Sequence, residues 1–173
     1  LDANNILKRV IFIDHKNPFE VEFTSNPLAP SDGLEVSPDG KFIFIGTYSS
    51  VNQIPATIYM YDAISGDFVR EIGAGEFLPN ISGVWGMAID DNNIIYAGNG
   101  SKIKKFDFDG NFLGQMNLPF TIPNHHSFNN INYSDNKLLI TSTSSIRVLD
   151  MQTNQFLELP FVGSLSRPPG VTI

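Results

Sequence analysis

Six side chains have the chemistry to meet a ligand: Asp32, Trp85, His125, His126, Asn129 and Asn130. Imidazoles such as His125 and His126 can ligate a metal or act as a base near neutral pH. Asp32, Asn129 and Asn130 carry the hard oxygen donors that calcium or magnesium takes. Trp85 can serve as a stacking platform, or it can fill space between packed elements while its one N–H finds a partner. Each has a plainer role beside the chemical one. The two histidines lack a spaced Asp, Glu or third His to complete a metal framework. As chain neighbours in an extended segment, their rings would point apart. Solvated loop histidines, interior packing for Trp85, and ordinary turn polarity for the oxygen donors are therefore the first expectations.

Other signals are weaker. Asp14-His15 is a dyad by adjacency only, with no nucleophile beside it. No Gly-rich phosphate loop or zinc spacing occurs. The Asn-X-Ser triplets at Asn80, Asn99 and Asn132 are expected by chance in an Asn-rich chain. The chain has no cysteine, which excludes disulfides, thiolate metal sites and a Cys nucleophile. Eleven basic residues against 18 acidic ones give a net charge of −7. That balance argues against a nucleic-acid or anionic-membrane partner, whose phosphates need clustered Lys and Arg. No apolar run approaches the roughly 18 residues of a membrane span.

The elements that must position these residues follow a repeat. Gly33 to Ile45, Gly86 to Ala97 and Asn130 to Ile140 each read as a short apolar strand, a polar turn and a more apolar strand. Pro38-Asp39-Gly40, Asp91-Asn92-Asn93 and Asp135-Asn136 supply the turns, since Pro presets φ and Asn, Asp and Gly tolerate positive φ. A second hairpin follows each time. Ile58 to Asp62 matches Ile103 to Asp107 and Ile146 to Asp150, and Phe68, Phe112 and Phe156 are each 44 residues apart. The second strands are nearly all apolar, as for a strand buried on both faces. The third strands alternate polar residues such as Lys8 and Lys102 with apolar ones, which predicts a less buried strand. Asp62, Asp107 and Asp150 end the third strands, where an Asp side chain accepts turn N–H groups. Their recurrence predicts a structural role.

Four antiparallel strands at this period make one blade of a β-propeller, because a single blade cannot cover its own two faces and stacked neighbours can. The fold class is therefore all-β: about three full blades with partial terminal ones, cut from a larger propeller. A partial blade occupies 1–27. Whole blades occupy about 28–77, 78–121 and 122–163, and a further blade starts at 164–173. First strands crowd at the axis and favour Gly; Gly33, Gly86 and Gly170 fit, and Asn130 departs.

Ser37-Pro38-Asp39-Gly40-Lys41-Phe42 and Arg167-Pro168-Pro169-Gly170-Val171 resemble the blade units of NHL-type, SMP-30-like propellers of six or seven blades, which implies a six-bladed ring here. Lys104-Lys105-Phe106-Asp107 with Gly110-Asn111-Phe112-Leu113 resembles the hairpin joining their third and fourth strands. The Trp-Asp and Gly-His marks of WD40 repeats are absent. The resemblance implies function on the loops at the mouth of a central channel. The leading expectation is a non-catalytic scaffold that needs no cofactor. It would bind a protein, peptide or glycan through Trp85, His125, His126 and Asn129. The alternative is a divalent-metal-dependent hydrolase or lyase of the lactonase or NHL-lyase kind. Calcium or magnesium would then sit on the axis near Asp32, Asn129 and Asn130. A chain without thiols suits either redox compartment, and an extracellular or periplasmic place is the expectation.

Overall fold

A computed structural model describes residues 33–47, 56–77, 83–99, 102–118, 130–141 and 146–157. Asp32, His125, His126, Asn129, Gly170 and both partial terminal blades lie outside the described residues.

The described residues form twelve strands. The first sheet holds β1 (Leu34–Val36), β2 (Phe42–Gly46), β3 (Ile58–Asp62) and β4 (Phe68–Ile72). The second holds β5 (Met87–Ile89), β6 (Ile95–Asn99), β7 (Lys102–Phe106) and β8 (Phe112–Asn117). The third holds β9 (Asn130–Ser134), β10 (Lys137–Thr141), β11 (Ile146–Asp150) and β12 (Gln155–Leu157). Each is a four-stranded antiparallel meander in chain order.

Turn chemistry fixes the hairpins. Asp135 (φ 48°) and Asn136 (φ 57°) make a two-residue turn between Ser134 and Lys137, which face each other across the ladder. Two consecutive positive φ values are the type I′ signature, whose twist suits a hairpin. In the outer hairpins Gly66 (φ 73°), Gly110 (φ 90°) and Asn154 (φ 55°) occupy equivalent left-handed positions. Asparagine is the side chain that enters this region most readily after glycine.

The sheets stack face to face through two apolar layers. One joins Phe44, Ile58, Met60 and Ile72 of the first blade to Met87, Ile89, Ile95 and Phe106 of the second. The other joins Ala88, Tyr96 and Ile103 of the second blade to Ile131, Leu138, Ile140 and Leu149 of the third. The second blade is thus covered on both faces, and all five β6 residues are buried. β11 keeps the less buried character expected of a third strand, with Arg147 exposed and only Leu149 buried, but the third strands of the first two blades depart from it. In β3 every residue but Asp62 is buried, and in β7 only Lys102 is exposed. Polarity at Lys104 does not mark a solvent face, because its long stem crosses apolar surface to reach a polar partner.

Candidate functional site: the inner strands and their connections

The three blades meet along their first strands, with β1 against β5 and β5 against β9. Missing side chains allow this approach. A Cβ on Gly86 would lie 2.9 Å from the Ile131 backbone nitrogen and 3.0 Å from backbone atoms of Asn130. A Cβ on Gly46 would lie 2.6 Å from the Val84 side chain. The crowding expected at Gly86 is therefore real, and it is backbone against backbone.

The link into the second blade is stitched by hydrogen bonds. Val84 N–H donates to the Thr47 carbonyl at 2.9 Å, and Asn99 Nδ2 donates to the Gly83 carbonyl at 3.3 Å. Thr57 N–H in turn donates to Thr47 Oγ1 at 2.9 Å, and Thr57 Oγ1 donates to the Ile72 carbonyl at 3.1 Å. Thr47, Thr57 and Asn99 are all buried. Their spent hydroxyl and amide groups hold the connection that carries Trp85.

Trp85 stands at the head of β5, where its backbone N–H donates to the Gly98 carbonyl at 3.3 Å. Its half-buried ring packs on the layer between the second and third blades. Of its two anticipated roles, the interior one has direct support. Asn130 opens β9 and is half-buried; its Oδ1 accepts the Ile131 N–H at 2.9 Å, and its carbonyl accepts Thr141 Oγ1 at 3.3 Å.

Glu35 is the functional group that the sequence reading passed over. It lies on β1 between Leu34 and Val36, opposite the fully buried Phe44. Burial pushes its carboxyl up from 4.5 to about 7, against a smaller opposing effect of the Val36 backbone hydrogen bond. The available signal was a single carboxylate in an otherwise apolar inner-strand triplet.

A second polar group is deep in the outer half of the blade stack. Lys104 Nζ lies 5.6 Å from the Phe77 ring centre and 5.5 Å from that of Phe112. It donates to the Glu76 carbonyl and, at 3.3 Å, to Glu76 Oε2. This cation ties β7 to the chain that leaves the first blade.

The recurrent aspartates are occupied by their own turns. Asp62 Oδ1 accepts the N–H groups of Ile64 (2.9 Å) and Ser65 (2.7 Å). Asp107 accepts Asn111 N–H and Nδ2, each at 2.8 Å, and Asp150 Oδ1 accepts Gln152 and Thr153 N–H, each at 2.9 Å. These bonds favour the ionised form and hold all three carboxyls below the ordinary aspartate range. The leading donors are Ser65 N–H, the Asn111 amide and Thr153 N–H respectively. Asp39 is lowered to about 2, chiefly by Lys41 and then by Ser37. The structural role predicted for Asp62, Asp107 and Asp150 is the observed one. Among the described residues no three acidic or His side chains gather around a common point suited to a metal ion. No described helix is long and apolar enough to cross a membrane.

The backbone has a clear counterpart among solved structures. The crystal structure of RRP9 WD40 repeats superposes with a TM-score of 0.54 at 20% identity, over 78% of this chain and 39% of that one. The three stacked meanders are an arc of a β-propeller. The chain therefore spans well under half the length of this solved relative, and the likeness is one of fold. No family model matches the chain, and no curated protein does.

Proposed function

We propose that this propeller arc is a non-catalytic interaction scaffold that binds a protein, peptide or glycan at the channel face. The division of labour between repeated and unrepeated residues carries the reading. Recurrent Asp62, Asp107 and Asp150, with Gly66, Gly110 and Asn154, are consumed in closing turns. Trp85 and Asn130, at the heads of two inner strands, differ from blade to blade, and in the sequence Asp32 and Asn129 align with Trp85. Variable side chains on a repeated frame are how propellers acquire distinct ligands. Trp85, His125, His126 and Asn129 are the proposed contacts. The Ser37-Pro38-Asp39-Gly40 and Arg167-Pro168-Pro169-Gly170 units support an NHL-type, six-bladed parent ring.

Peptide and glycan arrays probed with the chain and with Trp85→Phe test this reading. Phe keeps most of the packing volume, so a matched melting temperature certifies the fold. Loss of a specific signal supports Trp85 as a contact; an unchanged signal removes it from the site. A second reading, a divalent-metal hydrolase or lyase, draws on Glu35, a carboxylate on an inner strand. Calcium or magnesium held near Asp32, Asn129 and Asn130 would raise the melting temperature, and a chelator would reverse the rise. No bound ion and no shift would sink it.

A further inference from the structure

We propose that residues 10–23 of this chain dock as a two-stranded hairpin on the free face of the first blade, over its outer strands β3 and β4. This inference concerns the frame and stands apart from the channel-face reading. The first blade spends one face on the second blade, through Phe44, Ile58, Met60 and Ile72. Among the described residues no sheet meets its other face.

Strand alternation and the ladder put Leu34, Val36, Ile43, Ile45, Tyr59 and Tyr61 on that free face. The Phe68 ring joins them, 6.2 Å from the Tyr59 ring and 5.8 Å from the Tyr61 ring between centres. The two halves of the face differ. Tyr59 and Tyr61 of β3 are 7% and 3% exposed, while Leu34 and Val36 of β1 are 62% and 48% exposed. A whole blade would cover both halves. A cover made of third and fourth strands alone fits the outer half.

The repeat names the occupant. Val10-Ile11-Phe12-Ile13-Asp14 matches Ile58 to Asp62, and Phe19 follows Asp14 by five residues, as Phe112 follows Asp107. On this alignment Val10, Phe12, Val21 and Phe23 stand where Ile58, Met60, Arg70 and Ile72 stand in the first blade. Those four are outer-strand residues through which the first blade meets the second: three lie in the apolar layer, and Arg70 Nη1 reaches Asp109 at 2.9 Å. The receiving side corresponds too. Tyr61 and Phe68 align with Phe106 and Phe112, and Phe106 is fully buried against the first blade. The rim contact changes in kind on both sides at once. Val21 stands for Arg70, and Ile64 stands for Asp109, each the second residue after the Asp of its turn. An ion pair is thereby exchanged for an apolar pair, which gives the solvent-exposed Ile64 a partner. Glu20 and Glu22 alternate with Val21 and Phe23, the pattern of a strand with one buried face.

The chain has no cysteine, so introduced pairs report proximity cleanly. In the full chain, Val21→Cys with Ile64→Cys should be joined within the monomer by a short bismaleimide. Glu22→Cys with Ile64→Cys should react at least about tenfold more slowly, because successive side chains of a strand point to opposite faces. Tyrosine nitration gives a second readout. Tyr59 and Tyr61 should be protected in the parent, and Phe12→Asp should speed their nitration at least about tenfold by opening the cover. Tyr96, buried between the second and third blades, should stay protected and certify the fold. Equal cross-linking by the two pairs, none within the monomer, or unchanged protection of Tyr59 and Tyr61 in Phe12→Asp would overturn the proposal. Cross-links formed between copies would overturn it as well, by making a second copy the occupant. If Tyr96 also becomes reactive, the cross-linking alone decides.

Discussion

Replacing Glu35 by Gln should stabilise the protein above neutral pH and do little near pH 5. The carboxyl is raised from 4.5 to about 7 by burial. The folded state thus holds its proton more tightly than the unfolded chain, and ionisation penalises folding. That penalty is absent below the unfolded value, grows as pH rises through the interval, and is complete above about pH 7. The full displacement is equivalent to about 3 kcal/mol. Glu35 is only half-buried, so solvent screening reduces the expected effect to about 1–2 kcal/mol. Asp62, Asp107 and Asp150 have lowered values, so they stay ionised across this window and do not confuse it. Urea unfolding of both proteins at several pH values between about 5 and 8 gives the comparison. The gap between Glu35→Gln and the parent should open with rising pH. A gap of the same size at both ends would mean that shape, not charge, governs the site, and the burial argument would fail.

Three further substitutions probe the frame. Gly86→Ala should cost about 2–3 kcal/mol, because its methyl meets rigid Asn130 and Ile131 backbone; an unchanged urea midpoint would show that the joint yields. Asn154→Ala should cost about 1 kcal/mol at φ 55° while Asn154→Gly is tolerated, a contrast that thermal melts resolve. Lys104→Met should cost about 1–2 kcal/mol, measured by urea unfolding: it loses the Glu76 bonds and the charge over Phe77 and Phe112, but leaves no charge deeply buried, since Glu76 stays partly exposed.

Repetition made the frame legible. One copy of Asp-x-x-x-Gly-x-Phe is a weak turn signal, but Asp62 to Phe68, Asp107 to Phe112 and Asp150 to Phe156 are the same turn written three times, with small changes in length. The left-handed positions of Gly66, Gly110 and Asn154 follow from residue type alone. The site was less legible because its determinants are non-local. Glu35 becomes unusual only when β2 and the second blade surround it. Lys104 reads as a solvent-facing residue until Glu76 and Phe77, some way back in the chain, and the Phe112 ring of the next strand are brought to it. Trp85 had two roles that sequence could not separate, and only its packing against the third blade supports the interior one.

The unequal turns have a consequence for how such a chain can change length. Ile58 and Ile103 are 45 residues apart, yet Phe68 and Phe112 are 44 apart, because the turn after Asp107 is one residue shorter than the turn after Asp62. An added residue is thus cancelled before the chain returns to the axis. The rim behaves as an expansion joint, and the Gly86 contact behaves as a fixed bearing. Insertions and grafted epitopes should be accepted at the outer turns with little effect on neighbouring blades, while even a single methyl at the bearing is felt by two blades together.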